Sequence, residues 1–165
     1  MAEHDTGELV DSDLVGEVWT TALPGAHPGT DPVLYGHVEI EPKGPFPARS
    51  LQTFRLTYTV GRFGLDDTGA IRVMLRAMGD GGALQTDDPT GYNYVTATTS
   101  SGVPLGVEYS RHGTVPRPRW KTLTVRVAGG ILREGDRIEI VLGNTSKGSP
   151  GLNSPRIATT RCGSA

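Results

Sequence analysis

The sequence predicts an all-β protein, a two-sheet antiparallel β-sandwich of about seven or eight strands. Three observations carry that expectation. Apolar and polar side chains alternate in short runs, as in Phe54, Leu56, Tyr58 and Val60 against Arg55, Thr57 and Thr59, the period-two pattern of a strand buried on one face. Glycine (23) and proline (12) make up about a fifth of the 165 residues, well above the usual roughly 12%, so turns are frequent. No window sustains the apolar stripe of a long helix. An open single sheet would leave its apolar stripes in water, at about 1.5–3 kcal/mol for each large side chain. A closed barrel shares the alternation and is the structural competitor. One domain is the natural count at this length, and such a chain can bury roughly 70% of its unfolded surface without disulfide or metal.

Taken in order, residues 1–16 form an acidic leader without a sustained apolar stripe, expected to be flexible. The β-sandwich domain is expected over 17–151, opening with a short strand at Glu17–Thr21. Prolines and glycines from Leu23 to Pro32 mark a loop. His37–Ile40 alternates and stops at Pro42; residues 43–47, with Pro45 and Pro47, connect without backbone donors at the prolines. The strongest strand follows at Phe54–Val60. Gly61–Gly69 turns the chain through Asp66, Asp67 and Thr68. The next strand sets Ile71, Val73, Leu75 and Ala77 inward and Arg72, Met74 and Arg76 outward. A polar loop runs from Gly79 to Gly91. Tyr92–Thr98 is expected as a strand because Tyr and Thr suit a pleated surface, and Val107 with Tyr109 marks another. Leu123, Val125 and Val127 share a face up to Gly129; Arg133–Asp136 turns into Ile138, Ile140 and Leu142. Gly143–Gly151 reads as a loop. Residues 152–165 lack alternation and are expected to be disordered.

Net charge is −2, but its distribution is uneven. Residues 1–42 hold nine acids and no Lys or Arg; the remainder carries all 16 bases against nine acids. An acidic leader on a basic body keeps a chain soluble, or folds back to shield the basic face from polyanions. The acidic start lacks the basic n-region and apolar core of a signal peptide, and no apolar run approaches the ~18 residues of a membrane span. The single Cys162 excludes an internal disulfide. The cytoplasm is the expected compartment, and no membrane partner is expected.

Residues able to do chemistry are sparse. His4, His27, His37 and His112 are scattered without a second ligand at a metal-site spacing, so no cofactor is expected. The pairs Asp66–Asp67 and Asp87–Asp88 could offer oxygens to calcium, but acids before Gly or Pro more often cap backbone N–H groups in turns. Ser110, Arg111 and His112 adjoin without a nucleophile elbow, and Cys162 sits in the patternless tail, where nothing would lower its pKa. No catalytic residue is assigned. The glycine-rich Gly79–Gly82 opens no helix, which removes the phosphate-loop reading. A binding face is the more substantial option: Tyr92, Tyr94, Tyr109 and Trp120 could stack on sugar rings or bases, with Arg111, Arg117, Arg119, Lys121 and Arg126 to hold phosphate or carboxylate, and Tyr92, Tyr94, Trp120, Arg117 and Arg119 are the residues singled out. The competing reading has these aromatics sealing the edge of the core and the bases solvating a strand face. No nucleic-acid module motif accompanies the charge, which argues against that partner.

Two stretches carry a family resemblance: Thr57–Gly61 followed by Gly64–Val73, and Leu123–Val127 followed by Leu132–Ile140 and Gly143–Gly151. With Gln85–Pro89 they resemble the N-terminal β region of a large bacterial family of unknown function, over roughly residues 36–151. The long members of that family are similar to metal-dependent hydrolases of the polymerase-and-histidinol-phosphatase (PHP) type, in which a β domain precedes the catalytic domain. The resemblance implies a non-catalytic accessory domain whose partner is a metallohydrolase catalytic domain. The family pattern continues past Gly151 into another strand, where this sequence enters its patternless tail. No metal ligand carries over, and the expectation is either a truncated gene product or a free-standing relative. A lost final strand would leave a sheet edge open to self-association. The alternative is a free-standing binding module for carbohydrate or another polar ligand.

Overall fold

The computed structural model describes residues 9–10, 31–43, 46–47, 49–75, 81–111 and 121–153. Among these the protein is all-β. Eleven strands alternate with turns: β1 (Leu9–Val10), β2 (His37–Glu41), β3 (Phe46–Pro47), β4 (Leu51–Gln52), β5 (Phe54–Thr59), β6 (Ala70–Leu75), β7 (Val95–Thr99), β8 (Leu105–Ser110), β9 (Lys121–Val127), β10 (Arg137–Leu142) and β11 (Leu152–Asn153). Seven of them reach five residues or more, and the described residues hold more strands than the seven or eight the sequence predicts because the two-residue pairings β1 with β3 and β4 with β11 carry no alternation.

The larger strands form a four-stranded sheet in the order β2-β5-β10-β7 and a three-stranded sheet in the order β6-β9-β8. Every strand pairing is antiparallel. In the first sheet Ile140 lies opposite Leu56 on one side and Ala97 on the other, while Leu56 also faces Ile40. That register places every second residue on one face, as the sequence alternation requires. In the second, Val125 lies between Ile71 and Val107. The inward residues of both sheets enter one apolar cluster, which includes Phe54, Leu56, Val73, Val95, Leu123, Val125, Ile138, Ile140 and Leu142. Leu132, Leu123 and Ile138 are wholly buried. Phe46 meets Phe54 edge to face at 5.1 Å, a favoured aromatic geometry.

Several boundaries differ from the sequence-based expectation, each for a local reason. Pro32–Tyr35, beginning where the expected loop over Leu23–Pro32 ends, is a helical turn, α1. Asp31 caps it, its carboxylate accepting from Val33 N at 2.9 Å, and Pro32 occupies the first turn, where its missing N–H costs nothing. The strand expected from Tyr92 begins at Val95, because Asn93 adopts φ 60°, a left-handed conformation foreign to a strand that Asn tolerates better than most residues. Met74, expected outward, is buried; its cross-strand partner on β9 is Thr122, itself buried, so this end of the outer face is covered as well. The ordered sheet runs two residues past the expected boundary at 151: β11 pairs with β4, Leu152 opposite Gln52, and Leu152 packs against the core. Leu9 and Val10, inside the expected flexible leader, pair with Pro47 and Phe46. The expected strand at Glu17–Thr21, the rest of the leader and residues 154–165 lie outside the described residues.

Tyr109, on the inner side of β8, packs against the core. Its hydroxyl is buried and finds no hydrogen-bond partner among the described residues. An unsatisfied buried hydroxyl costs about 1–3 kcal/mol. Tyr109→Phe is therefore expected to raise stability at neutral pH by about 1 kcal/mol in urea titration; a clear loss would mean that the hydroxyl is bonded in solution. Burial also raises the Tyr109 phenol above 10.0, with Arg111 opposing, and burial raises that of Tyr58. Both groups ionise earlier in the unfolded chain, so their contribution is complete below pH 10 and is lost as pH climbs through their raised folded values. The urea midpoint is expected to fall between pH 9 and pH 11, and to fall less in Tyr109→Phe; equal falls would remove Tyr109 from the account.

Candidate functional site

Of the five residues singled out as a binding face, Tyr92 and Tyr94 lie among the described residues, and their environments differ. Tyr92 is 56% exposed, whereas Tyr94 is buried at 7%. Two residues apart in a regular strand they would share a face; the left-handed Asn93 between them turns Tyr94 inward and leaves Tyr92 out. Arg117, Arg119 and Trp120 lie outside the described residues, as does His112.

The polar loops around Tyr92 are committed to the fold. Gln85 Oε1 accepts from the backbone N–H groups of Asp87 and Asp88, and its Nε2 donates to the carbonyls of Asp88 and Tyr92. The Asp88 carboxylate accepts from both the N–H and the hydroxyl of Thr90, bonds that hold its pKa below the usual carboxylate value. Asn93, 5% exposed, donates through Nδ2 to the carbonyls of Gly81 and Ala83 and accepts at Oδ1 from Asn153 N. The buried Ser149 hydroxyl donates to Gly91 O. Gln85–Pro89 and Gly143–Gly151 thus lie on one cross-linked loop structure.

The acid pairs behave as turn residues. Asp67 accepts from Gly129 N at 2.7 Å, tying two turns together, while Gly69 N closes on Asp66 O. Among the described residues no three His, Cys, Asp or Glu side chains converge on one point, and no helix is long and apolar enough to cross a membrane.

The open groove of about 590 Å³ lined by Glu41, Pro42, Lys43, Thr53 and Arg55 carries both signs of charge. Arg55 lies opposite Glu41 in the register and 3.7 Å from a Glu139 carboxylate oxygen, so its charge is already balanced locally. Thr53 Oγ1 donates to Gly143 O.

A surface that the sequence reading missed lies where α1 meets the turn after β5. Val33 is 62%, Tyr35 45% and Phe63 66% exposed, and the rings of Tyr35 and Phe63 meet edge to face at 5.3 Å. Their backbone is fixed. Arg62 N donates to Val33 O at 2.8 Å and Phe63 N to Leu34 O at 3.1 Å, and the half-buried Tyr58 hydroxyl donates to Tyr35 O at 2.6 Å. Two glycines allow this approach. Gly36 closes α1 at φ 85°, and a Cβ on Gly61 would meet Gly36 N and come within 2.5 Å of Leu34 O. A capped turn, two backbone bonds and a tyrosine hydroxyl thus hold apolar side chains largely in water, where each gains only part of what full burial would give. A rigid, solvated aromatic pair of this kind is suited to docking, because little conformational entropy remains to be lost on contact. No local pattern signals it, since its members are 28 residues apart in sequence.

Comparison with protein-family models, with curated proteins and with solved structures found no match to this chain.

Proposed function

We propose that this chain is a non-catalytic accessory domain with the two-sheet sandwich architecture, related to the N-terminal β region of PHP-type metal-dependent hydrolases, and that it docks on its catalytic partner through Val33, Tyr35 and Phe63. The sandwich reading draws support from the single apolar cluster to which both main sheets contribute. The observation that carries the functional reading is the rigid exposed pair of Tyr35 and Phe63; exposed aromatics anchored by surrounding structure are the groups that most often dominate protein interfaces. The cross-linking of Gln85, Asp88, Asn93 and Ser149 into structural hydrogen bonds agrees with a scaffold role for the segments that carry the resemblance.

The test is binding to a PHP-type hydrolase domain supplied in trans, read by calorimetry or co-purification. Phe63→Ala is expected to weaken binding at least about tenfold, or about 1.4 kcal/mol, with little change in stability because the ring is mostly solvated. Full-affinity binding by Phe63→Ala and by Tyr35→Ala would remove this surface from the interface. Failure of the unaltered protein to bind would overturn the accessory reading. Retention of the native protein on immobilised glycans, lost in a Tyr92→Ala variant, would instead support a free-standing carbohydrate-binding module.

A further inference from the structure

We draw no further inference here: the strongest candidate beyond the surface already described, the open groove between the end of β2 and the start of β5 lined by Glu41, Lys43 and Arg55, sets Arg55 opposite Glu41 and beside Glu139 and holds no buried polar group among its described lining, so nothing there selects a ligand.

Discussion

Replacing Asn93 by alanine is expected to destabilise the domain by roughly 3 kcal/mol, among the largest effects of any polar substitution in the described structure. The side chain satisfies three backbone groups from two distant segments: the carbonyls of Gly81 and Ala83 on one side and Asn153 N on the other. Truncation leaves these without their partner; because Gly81 and Ala83 are half-buried and Asn153 is exposed, water recovers part of the about 1–3 kcal/mol that each fully buried unsatisfied group would cost, leaving about 2 kcal/mol in all. Alanine at φ 60° adds about 1 kcal/mol of backbone strain. Asn93→Gly separates the two contributions, since glycine accepts the conformation but cannot make the bonds. Urea unfolding should place Asn93→Gly between the natural protein and Asn93→Ala. If Asn93→Gly proves as stable as the natural protein, the hydrogen bonds contribute nothing and only backbone conformation matters. The Asn93→Ala variant is also expected to free β11 from β4, because Asn153 loses its tie to the loop; faster amide exchange at Asn153 than in β10 would register that.

The same residue marks where sequence pattern stops being informative. Phe54–Thr59, Ala70–Leu75, Lys121–Val127 and Arg137–Leu142 were legible because each presents alternate apolar side chains to one core, and that requirement is written locally at period two. The Tyr92–Tyr94 spacing offered the same signal, yet the backbone inverts at Asn93 for the sake of contacts with residues 81, 83 and 153, which no local pattern encodes. The helical turn at Pro32–Tyr35 does carry a local signal, Asp31 before Pro32, the capping pair at the start of a helix, which the expectation for this stretch did not draw on. The buried Met74 belongs to a third kind of departure. Alternation sets it away from the core, and its burial depends on what covers the far face of β6 and β9.

The exposed surface of Val33, Tyr35 and Phe63 was the least legible part. Val33 and Tyr35 precede β2, Phe63 follows β5, and the antiparallel pairing of β2 with β5, His37 opposite Thr59, brings them to one end of the sheet. Only tertiary structure makes that juxtaposition. Isolated exposed apolar residues are ordinary on any protein; what distinguishes these is the structure spent on holding them in place.

That feature yields the second prediction of large effect. Gly61→Ala is expected to cost about 3 kcal/mol and to detach α1 from the body of the domain. The new methyl would point at backbone atoms, Gly36 N and the carbonyl of Leu34, which cannot rotate away as a side-chain end could. Overpacking of this kind costs about 1–3 kcal/mol. Relief by moving α1 outward breaks the bonds from Arg62 N to Val33 O and from Phe63 N to Leu34 O, at about 0.5–1.5 kcal/mol each. The neighbouring ties of Val60 to Asp136 and Gly135 lie on the other side of the turn, so the core cluster should still unfold as one cooperative unit. The variant is expected to bind a PHP-type hydrolase domain at least tenfold more weakly than the natural protein while keeping a single urea transition at a lower midpoint. Phe63→Ala should lose the same affinity without the stability cost, because it removes the ring and leaves the scaffold. Agreement of the two variants in affinity, with divergence in stability, would tie binding to the presented rings rather than to overall folding. A Gly61→Ala protein that is destabilised but binds with undiminished affinity would mean that the fixed geometry of α1 has no part in docking, and the interface would then have to be sought on another face.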